Sequence, residues 1–204
     1  MKDQNKDRVS GVWAIILAAG ESRRMNSPKM LLPFRGSTII GTVLENVLDS
    51  EIKNIMVVMG SSYNEIAIAI SGYNVNTCLN NNFQDGMLSS VKCGFWSVPD
   101  NFSAAVVLPG DQPMIPPQVL NALVNSWRNT GSGIIIPLHN GRRGHPILID
   151  SKYKLEVEKL TFDEGLHALP AKFNYDVLEI EMNTPEILRD IDTREDYLKE
   201  LNQN

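Results

Sequence analysis

Short apolar runs alternate along the chain with segments in which apolar residues recur every three or four positions. The runs have the length of buried β-strands, and the periodic segments have the spacing of amphipathic helices. The pattern predicts strands at residues 12–18, 54–58, 74–78, 104–108, 133–137 and 176–181. It predicts helices at residues 39–48, 63–70, 88–96, 117–128, 151–160 and 193–201, the first of them capped by Ser37 or Thr38. Strands that alternate with helices in this order are typical of βαβ units, so we expect an α/β fold with a mostly parallel sheet.

Chain length and composition favour one domain. At 204 residues the chain suits a single α/β domain, because domains usually contain about 100–200 residues. Hydrophobic residues make up 43% of the sequence and charged residues 21%, which is enough apolar surface for a substantial core. No repeat, low-complexity tract or linker divides the sequence. We therefore predict one domain over residues 11–204, preceded by a flexible polar N-terminus over residues 1–10.

Net charge and cysteine usage narrow the range of functions. A net charge of −5 argues against a broad binding surface for nucleic acid or an anionic membrane, so any phosphate group must be met by a local cluster of cations. Cys78 and Cys93 match no zinc-binding spacing and are predicted to be free buried thiols, which fits a reducing cytoplasm. The apolar run from Val12 is only about eight residues long, too short for a signal sequence or a membrane span. We predict a cytoplasmic protein whose partners are small molecules rather than nucleic acid or membrane.

The loop after the first predicted strand carries candidate phosphate-binding residues. Ligands of parallel sheets bind at the carboxyl ends of the strands, and residues 17–34, LAAGESRRMNSPKMLLPF, begin at such an end. Small residues at positions 18–20 let the backbone approach a ligand, and Arg23, Arg24 and Lys29 carry charges that neutralise phosphates. The loop matches neither the P-loop pattern nor GxGxxG, which excludes both common phosphate-binding fingerprints. A solvated basic turn is the alternative interpretation.

A carboxylate follows the predicted strand at residues 104–108. Asp111 lies within PGDQP, between two prolines and next to a glycine. This position suits a Mg²⁺ ligand, because Mg²⁺ in phosphate sites takes one or two carboxylates together with phosphate oxygens and water. An aspartate that only shapes a turn is the alternative.

A second pair of carboxylates lies near the C-terminal helix. Asp190 and Asp192 flank Ile191, and in an extended segment both side chains point to the same face. The pair could complete a cation site. Alternatively, Asp192 or Thr193 acts as an N-cap before the acidic first turn of a helix.

Taken together, these loops resemble the MobA-like nucleotidyltransferase family, and most closely its molybdenum cofactor cytidylyltransferase branch. The family motif LAAGxSxRMGxxK is matched by Leu17, Ala18, Ala19, Gly20, Ser22, Arg24, Met25 and Lys29. Asn26 replaces a glycine of the motif, and because asparagine tolerates positive φ better than most residues, the loop can keep its shape. Arg23 falls outside the motif and is predicted to be a surface charge. The resemblance spans residues 12–198 and implies the Rossmann-like, three-layer α/β/α fold of nucleotide-diphospho-sugar transferases.

Two segments bear on the nucleotide. LPGDQP at residues 108–113 is similar to this loop in cytidylyl-transferring members, whereas guanylyl-transferring relatives usually carry methionine in place of Gln112, so CTP is favoured over GTP. NNFQDGMLSSVKCGF is similar to the family segment near the base and ribose, although serines at a helix start are also ordinary caps. The resemblance implies nucleotide contacts for residues 17–20, Ser22, Gly86, Ser89, Ser90, Pro109 and Gly110.

Other segments resemble the acceptor side of the cleft in this branch. GRRGHP at residues 141–146 is similar to GxxGHP, so His145 either orients a substrate phosphate or holds the loop, and Arg142 and Arg143 meet an anionic acceptor or solvent. TFDEGLHAL keeps the aspartate of GDxGxR but departs from it at Phe162, and DIDTREDY carries Arg194 where the branch has proline. The resemblance places four residues on the acceptor side, Gln112, Arg143, His145 and Asp163.

The resemblance implies attack by the terminal phosphate of molybdopterin, or of its metal-loaded form, on the α-phosphorus of CTP, with pyrophosphate leaving. Arg24 and Lys29 then stabilise the β- and γ-phosphates, and Asp111 binds Mg²⁺, or alternatively Mn²⁺, with Asp190 or Asp192 as a further ligand. Transient contact with a molybdenum hydroxylase or its maturation factor is also implied. The residues agree with direct transfer, because the sequence offers no nucleophile and base pair for a covalent intermediate.

Two rival interpretations stay open. One is a nucleotidyltransferase that uses GTP or a different acceptor, such as a sugar or polyol phosphate. The other is a nucleotide-binding accessory protein that helps to insert a cofactor into a molybdenum hydroxylase without catalysing transfer, although intact Lys29 and Asp111 argue against lost catalysis.

Overall fold

An eight-stranded sheet forms the centre of the protein in the computed structural model, which describes residues 11–25 and 27–202. The predicted flexible terminus over residues 1–10 and the motif position Asn26 lie outside the described residues. In chain order the described strands are β1 (Val12–Ala18), β2 (Pro33–Phe34), β3 (Ser37–Thr38), β4 (Asn54–Met59), β5 (Asn76–Leu79), β6 (Ala104–Pro109), β7 (Ile134–His139), β8 (Arg142–Arg143), β9 (Ile147–Asp150) and β10 (Val177–Glu181).

The sheet is mostly parallel, in the order β10-β7-β9-β6-β1-β4-β5. Strand β1 pairs in parallel with both β4 and β6, and β10 pairs in parallel with β7. Strand β9 runs antiparallel between β6 and β7, and β8 pairs with the end of β7. Strands β2 and β3 form a separate hairpin. The carboxyl ends of β1 and β6 therefore lie side by side in the middle of the sheet, where the loops with Lys29 and Asp111 begin.

Helices cover both faces of the sheet. In chain order they are α1 (Ile39–Leu48), α2 (Tyr63–Ala69), α3 (Met87–Ser97), α4 (Pro117–Thr130), α5 (Lys154–Lys159), α6 (Ala168–Lys172) and α7 (Arg194–Leu201). In β1, Ala14 and Ile16 face the core under α1, α2 and α4, whereas Ile15 and Leu17 face the core under α3, α5 and α6. This two-residue alternation in an entirely apolar strand is what a sheet buried on both faces requires.

The structure confirms the predicted single-domain, three-layer α/β/α fold with its mostly parallel sheet. Thr38 caps α1 as predicted, because its Oγ1 accepts a hydrogen bond from the Gly41 N–H at 3.0 Å. The strand predicted at residues 74–78 begins two residues later, and the helix predicted at 151–160 opens with a 3-10 turn, Ser151–Tyr153, before α5. The hydrophobic pattern missed β2, β3, β8 and β9, since strands of two to four residues are too short to show a period.

The two cysteines are free, as predicted, but they are half-buried rather than buried. Cys78 in β5 and Cys93 in α3 face each other with 3.6 Å between their sulfur atoms. This contact could not be predicted from the spacing of the cysteines, because it depends on how α3 packs against the sheet.

Candidate active site

The ammonium group of Lys29 joins two carboxylates from distant parts of the chain. Its Nζ lies 2.6 Å from Asp111 Oδ2 and 2.8 Å from Asp192 Oδ1. Burial alone would lower the pKa of Lys29, but the charges and hydrogen bonds of Asp111 and Asp192 outweigh it and the pKa is raised above its ordinary value. Lys29 is only 8% exposed. The side chain is therefore a fixed cation within the protein, held where its charge is weakly screened.

Arg24 adds a second cation to this group. Its Nη2 lies 2.7 Å from Asp192 Oδ2, so Asp192 meets Lys29 with one oxygen and Arg24 with the other. Arg23, by contrast, pairs with the adjacent Glu21, and its side chain is 77% exposed. The prediction that Arg23 is a surface charge is confirmed. We call Arg24, Lys29, Asp111 and Asp192 the charge cluster.

Close contact between the ends of β1 and β6 brings Asp111 to Lys29. The Gly110 N–H donates to the Leu17 carbonyl at 2.9 Å. A Cβ atom at position 110 would lie 2.8 Å from that same carbonyl oxygen, which is closer than a side chain tolerates. Glycine is therefore required at position 110. The loop that follows β1 and carries Lys29 and the loop that follows β6 and carries Asp111 start at the same edge of the sheet.

The segment with Asp192 is fixed by its backbone and by the cap of α7. Ile191 is fully buried, and its N–H donates to the Asp111 carbonyl at 3.0 Å. Thr193 caps α7 in a reciprocal capping box with Asp196, whose Oδ2 also accepts the Asp192 N–H at 3.3 Å. Thr193 therefore serves as the cap, as one interpretation predicted, and the Asp192 side chain is left for the charge cluster. A cation site completed by Asp190 and Asp192 stays a prediction.

An ion pair buried behind this segment supports it further. Glu200 in α7 is 4% exposed, and both of its carboxylate oxygens accept hydrogen bonds from the guanidinium group of Arg189. Arg189 directly precedes Asp190 in the chain. The bidentate pair therefore ties the acidic segment to α7 in two places, at Arg189 and at Thr193.

Asp190 and His145 lie near the charge cluster, and its charges act on the pKa of both side chains. Burial, and then the negative charges of Asp192 and Asp111, raise the pKa of Asp190 above its ordinary value. Burial lowers the pKa of His145, although Asp111 and Asp190 act in the opposite direction. The His145 backbone N–H also donates to the Ile187 carbonyl at 2.9 Å. The burial of the His145 ring thus outweighs the negative charges of two predicted metal-binding carboxylates.

Replacement of Asp190 by asparagine is expected to stabilise the metal-free protein at pH 7. A carboxyl group whose pKa is raised by folding is destabilising when ionised, and this penalty is absent below its unfolded pKa of about 4. We expect Tm in the presence of EDTA to rise by about 2 °C at pH 7, and the difference to disappear as the pH falls below about 4. Asp163→Asn, at an exposed carboxylate, is the matched control, and a lower Tm for Asp190→Asn at pH 7 would contradict the prediction.

An open cleft lies beside the charge cluster at the carboxyl ends of β1 and β6. It is lined by Leu17, Ala19, Gly20, Lys29, Met30, Phe83, Gly86, Met87, Ser90, Pro109 and Asp111. A neighbouring hollow shares Gly20 and Lys29 with it and adds Ser22, Arg24 and Asp192. Gly86 has a φ of +94° at the start of α3, a conformation that favours glycine. Most of the predicted nucleotide-binding residues therefore surround one continuous opening.

Three other predicted nucleotide-binding residues lie behind that opening, and Ser22 at its edge shapes a loop. Ala18 is the buried last residue of β1, Gly110 is the buried residue that follows β6, and Ser89 is buried in the first turn of α3. Ser22 has a φ of +54°, and its Oγ accepts a hydrogen bond from the Lys29 N–H at 3.0 Å. Ser22 thereby shapes the loop that presents Lys29.

One further residue of this region, Asn80, was not predicted from the sequence. Asn80 directly follows β5, is 4% exposed, and donates from its amide nitrogen to the hydroxyl oxygens of Ser89 and Ser90 at 2.8 and 3.0 Å. The available signal was its position at the carboxyl end of a parallel strand, the same signal that identified the loops after β1 and β6.

The residues predicted on the acceptor side are not gathered in one place. His145 adjoins Asp111 and Asp190, but Arg143 pairs with Glu179 at 2.6 Å near the sheet edge. Asp163 is exposed and makes no hydrogen bond or ion pair with the part of the chain that the structure describes. Gln112 is 4% exposed, and its Oε1 has no hydrogen-bond partner among the described residues. A direct acceptor contact for Arg143 and Asp163 stays a prediction.

The chemistry of the charge cluster fits a divalent metal. Within residues 11–25 and 27–202 no group of three or more His, Cys, Asp or Glu side chains forms a complete metal site. Asp111 and Asp192 nevertheless converge on one cationic atom, the Lys29 Nζ. Two hard carboxylate ligands suit Mg²⁺ or Mn²⁺ that completes its coordination with phosphate oxygens and water. The donor set thus fits a metal that arrives with a nucleotide rather than a preformed protein cage.

A model of the MobA-like NTP transferase domain matches residues 14–176. The chain belongs to the MobA-like NTP transferase family. Over 192 residues it is 31% identical to the molybdenum cofactor cytidylyltransferase of Escherichia coli (strain K12), which covers 93% of this chain and 95% of that protein. Over 130 residues it is 27% identical to a probable molybdenum cofactor guanylyltransferase of Natranaerobius thermophilus, which covers 64% of this chain and 62% of that protein.

Solved structures share the fold of this MobA-like transferase. The crystal structure of Rv0371c from Mycobacterium tuberculosis superposes with a TM-score of 0.84 at 22% identity, covering 95% of this chain and 99% of that one. A structure of Rv0371c in complex with manganese gives a TM-score of 0.78, with 95% and 100% of the two chains covered. The overlap extends over almost the whole of both proteins.

The family assignment makes the protein a nucleotidyltransferase of the MobA type. This confirms the resemblance inferred from the loop motifs, and the charge cluster lies in the segments that carry those motifs. Among the described helices, none combines the length and apolarity that a membrane span requires.

Proposed function

We propose that this nucleotidyltransferase transfers CMP from CTP to the terminal phosphate of molybdopterin, or of its metal-loaded form, and releases pyrophosphate. The observation that carries the proposal is the charge cluster at the edge of the cleft, where Lys29 and Arg24 meet Asp111 and Asp192. Such a set offers cations to phosphates and carboxylates to a divalent metal. The choice of CTP rests on Gln112 within LPGDQP and on the cytidylyl-transferring E. coli relative.

The reaction is a direct displacement at phosphorus. An oxygen of the acceptor phosphate forms a new bond to the α-phosphorus of CTP, and the bond from that phosphorus to the oxygen bridging to the β-phosphate breaks. Pyrophosphate leaves with the electron pair of the broken bond. Lys29 and Arg24 offset the charge that builds on the leaving group, and their fixed positions lower the cost of reorganisation. No residue of the chain becomes covalently modified.

Asp111 and Asp192 are the residues that would hold Mg²⁺, with Asp190 as a further candidate. A bound divalent metal supplies charge neutralisation between the phosphates. The manganese complex of Rv0371c supports Mn²⁺ as an alternative to Mg²⁺. The ammonium group of Lys29 lies between the two carboxylates and also lines the cleft, so its charge acts from that fixed position on phosphates bound there.

Pyrophosphate release with each of the four ribonucleoside triphosphates, measured with and without molybdopterin, tests the proposal. We expect turnover only when CTP and molybdopterin are both present, and mass spectrometry should detect a cytidylylated pterin. The Lys29→Ala variant, prepared in parallel, controls for contaminating activity. Turnover with GTP would overturn the choice of nucleotide, and turnover only with a sugar or polyol phosphate would overturn the choice of acceptor.

A cell-based test separates catalysis from an accessory role. If the protein makes a dinucleotide form of the cofactor, Asp111→Ala should abolish the maturation of a molybdenum hydroxylase that depends on it. Unchanged maturation would favour a nucleotide-binding accessory protein instead. Direct contact with the hydroxylase or its maturation factor, and a cytoplasmic location, stay predictions from the sequence.

Arg24 and Arg23 offer a matched pair of substitutions. Arg24→Ala is expected to lower kcat/KM by about tenfold, because it removes an exposed but correctly placed partner of the phosphates and of Asp192. Arg23→Ala should leave kcat/KM within about twofold, since Arg23 is exposed and pairs with Glu21 at the surface. Steady-state pyrophosphate release measures both. Equal losses in the two variants would show that loop charge in general, rather than Arg24 itself, assists the reaction.

A further inference from the structure

Asn80 occupies a buried position between β5 and the start of α3. Its side-chain Oδ1 accepts the Asn82 N–H at 2.9 Å, and its Nδ2 lies 2.8 Å from Ser89 Oγ and 3.0 Å from Ser90 Oγ. The contact with the Asn82 N–H fixes the orientation of the amide, because a flipped amide would set two donors against each other. The amide nitrogen therefore faces the serines, and each of its two hydrogens has one serine oxygen to reach.

The two serines differ in whether the hydrogen of their own hydroxyl group has an acceptor within the described protein. Ser89 Oγ donates to the Gly86 carbonyl at 2.8 Å, so both of its hydrogen-bonding roles are taken within the protein. Ser90 Oγ accepts from Asn80 but has no acceptor among the described residues. The Gly86 carbonyl, to which a helical serine at position 90 could donate, already accepts the N–H and the hydroxyl of Ser89.

Ser90 is the serine that borders the cleft. It lines the same opening as Lys29 and Asp111, together with Gly86 and Phe83. Since the phosphates of a nucleotide are drawn to Lys29, the nucleoside lies along the remaining wall of the cleft. The hydroxyl of Ser90 is thus a donor without an acceptor at the wall that faces the nucleoside.

We propose that Asn80 is a positioning residue that makes the Ser90 hydroxyl a dedicated hydrogen-bond donor to an acceptor oxygen of the bound nucleoside, either a base carbonyl or a ribose hydroxyl. Asn80 donates a hydrogen bond to Ser90 Oγ from within the protein, so the hydroxyl hydrogen of Ser90 points outward. Ser89 has a supporting role and takes no part in this contact. The inference rests on the proposed nucleotide-binding function of the cleft and deepens it.

A double-mutant cycle on nucleotide affinity tests this arrangement. In Asn80→Asp a carboxylate replaces the amide donor, so Ser90 turns its hydrogen inward and the nucleoside loses its donor. We expect Asn80→Asp and Ser90→Ala each to weaken nucleotide binding by about tenfold, the equivalent of about 1.4 kcal/mol. Because both substitutions remove the same hydrogen bond, the double variant should bind about as weakly as Ser90→Ala alone.

Calorimetry with the wild-type protein and each of the four nucleoside triphosphates comes first, and the nucleotide that binds becomes the probe. If none binds, the proposed function fails; if one binds, the cycle tests Asn80 independently of which nucleotide it is. An affinity loss in the double variant near the product of the single losses, about a hundredfold, would overturn the proposal. Ser97→Ala, at the far end of α3, is the matched control for the serine substitution.

Two further comparisons keep the test decisive. If Asn80→Asp fails to fold, Asn80→Ala carries the same cycle, and Ser89→Ala must weaken binding less than Ser90→Ala. Equal losses in the two serine variants would overturn the assignment of Ser90 as the donor. The 2′-deoxy- and 3′-deoxynucleotides together distinguish the two acceptors, because a ribose contact makes Ser90→Ala lose its effect with one of these probes, whereas a base contact leaves the effect intact with both.

Discussion

Replacement of Lys29 by alanine is expected to lower kcat/KM for the nucleotide by a factor on the order of 10² or more. The ammonium group is almost completely buried at the point where Asp111 and Asp192 converge, so no surface lysine can substitute for its charge. Steady-state pyrophosphate release provides the measurement. Lys159→Ala removes an exposed lysine that pairs with Glu156 and is the matched control. Near-normal turnover of Lys29→Ala would refute the role assigned to the cation.

The loss of stability in Lys29→Ala must be separated from its loss of activity. Without Lys29, Asp111 and Asp192 face each other with no shared buried cation, so we expect Tm to fall as well. The proposed Mg²⁺ site needs the folded arrangement of the two carboxylates, so added Mg²⁺ should restore part of the lost Tm. It should not restore kcat/KM, because the phosphates still lack their cationic partner. Recovery of both quantities together would mean that Lys29 is needed only for folding.

Replacement of Asp111 by asparagine is the second change with a large expected effect. Asparagine has the same shape but lacks the negative charge, so it weakens a Mg²⁺ site while it keeps the loop between β6 and α4 intact. We expect kcat/KM to fall by a factor on the order of 10² or more, and the Mg²⁺ concentration for half-maximal rate to rise. Pyrophosphate release across a Mg²⁺ titration measures both.

The control for this substitution is Asp100→Asn, which changes an exposed carboxylate that pairs with Lys154. Its activity and its Mg²⁺ dependence should match those of the wild-type protein. An Asp111→Asn variant with unchanged Mg²⁺ dependence would remove Asp111 from the metal site, even if its rate were lower.

Sequence patterns predicted the frame of this site because they act over short distances. The apolar run of β1 and the run of β6 are readable from a few adjacent residues, and the rule that ligands lie at the carboxyl ends of strands then selects Lys29 and Asp111. The ion pairs of the charge cluster could not be predicted in this way. Lys29 and Asp192 are 163 positions apart in the chain, and only the packing of the acidic segment against Asp111 brings them together.

Other features of the site could not be predicted from the sequence, each for a different reason. Arg143 could have pointed into the cleft or toward Glu179, and the choice depends on the short strand β8, which was too brief to predict. The role of Asn80 depends on where two serine hydroxyl hydrogens point, which a motif does not contain. The sequence could not decide between Asp192 and Thr193 as the cap of α7, and in the structure Thr193 is the cap.

The convergence of three chain segments on one ammonium group also sets the order in which activity can appear during synthesis. Strands β1 and β6, with Lys29 and Asp111, emerge from the ribosome well before the segment that holds Asp192, and the helix that anchors this segment emerges later still. A nascent chain can therefore bury most of its sheet while its phosphate site is incomplete. The charge cluster is complete only when Asp192 and the helix α7 that anchors its segment have left the exit tunnel.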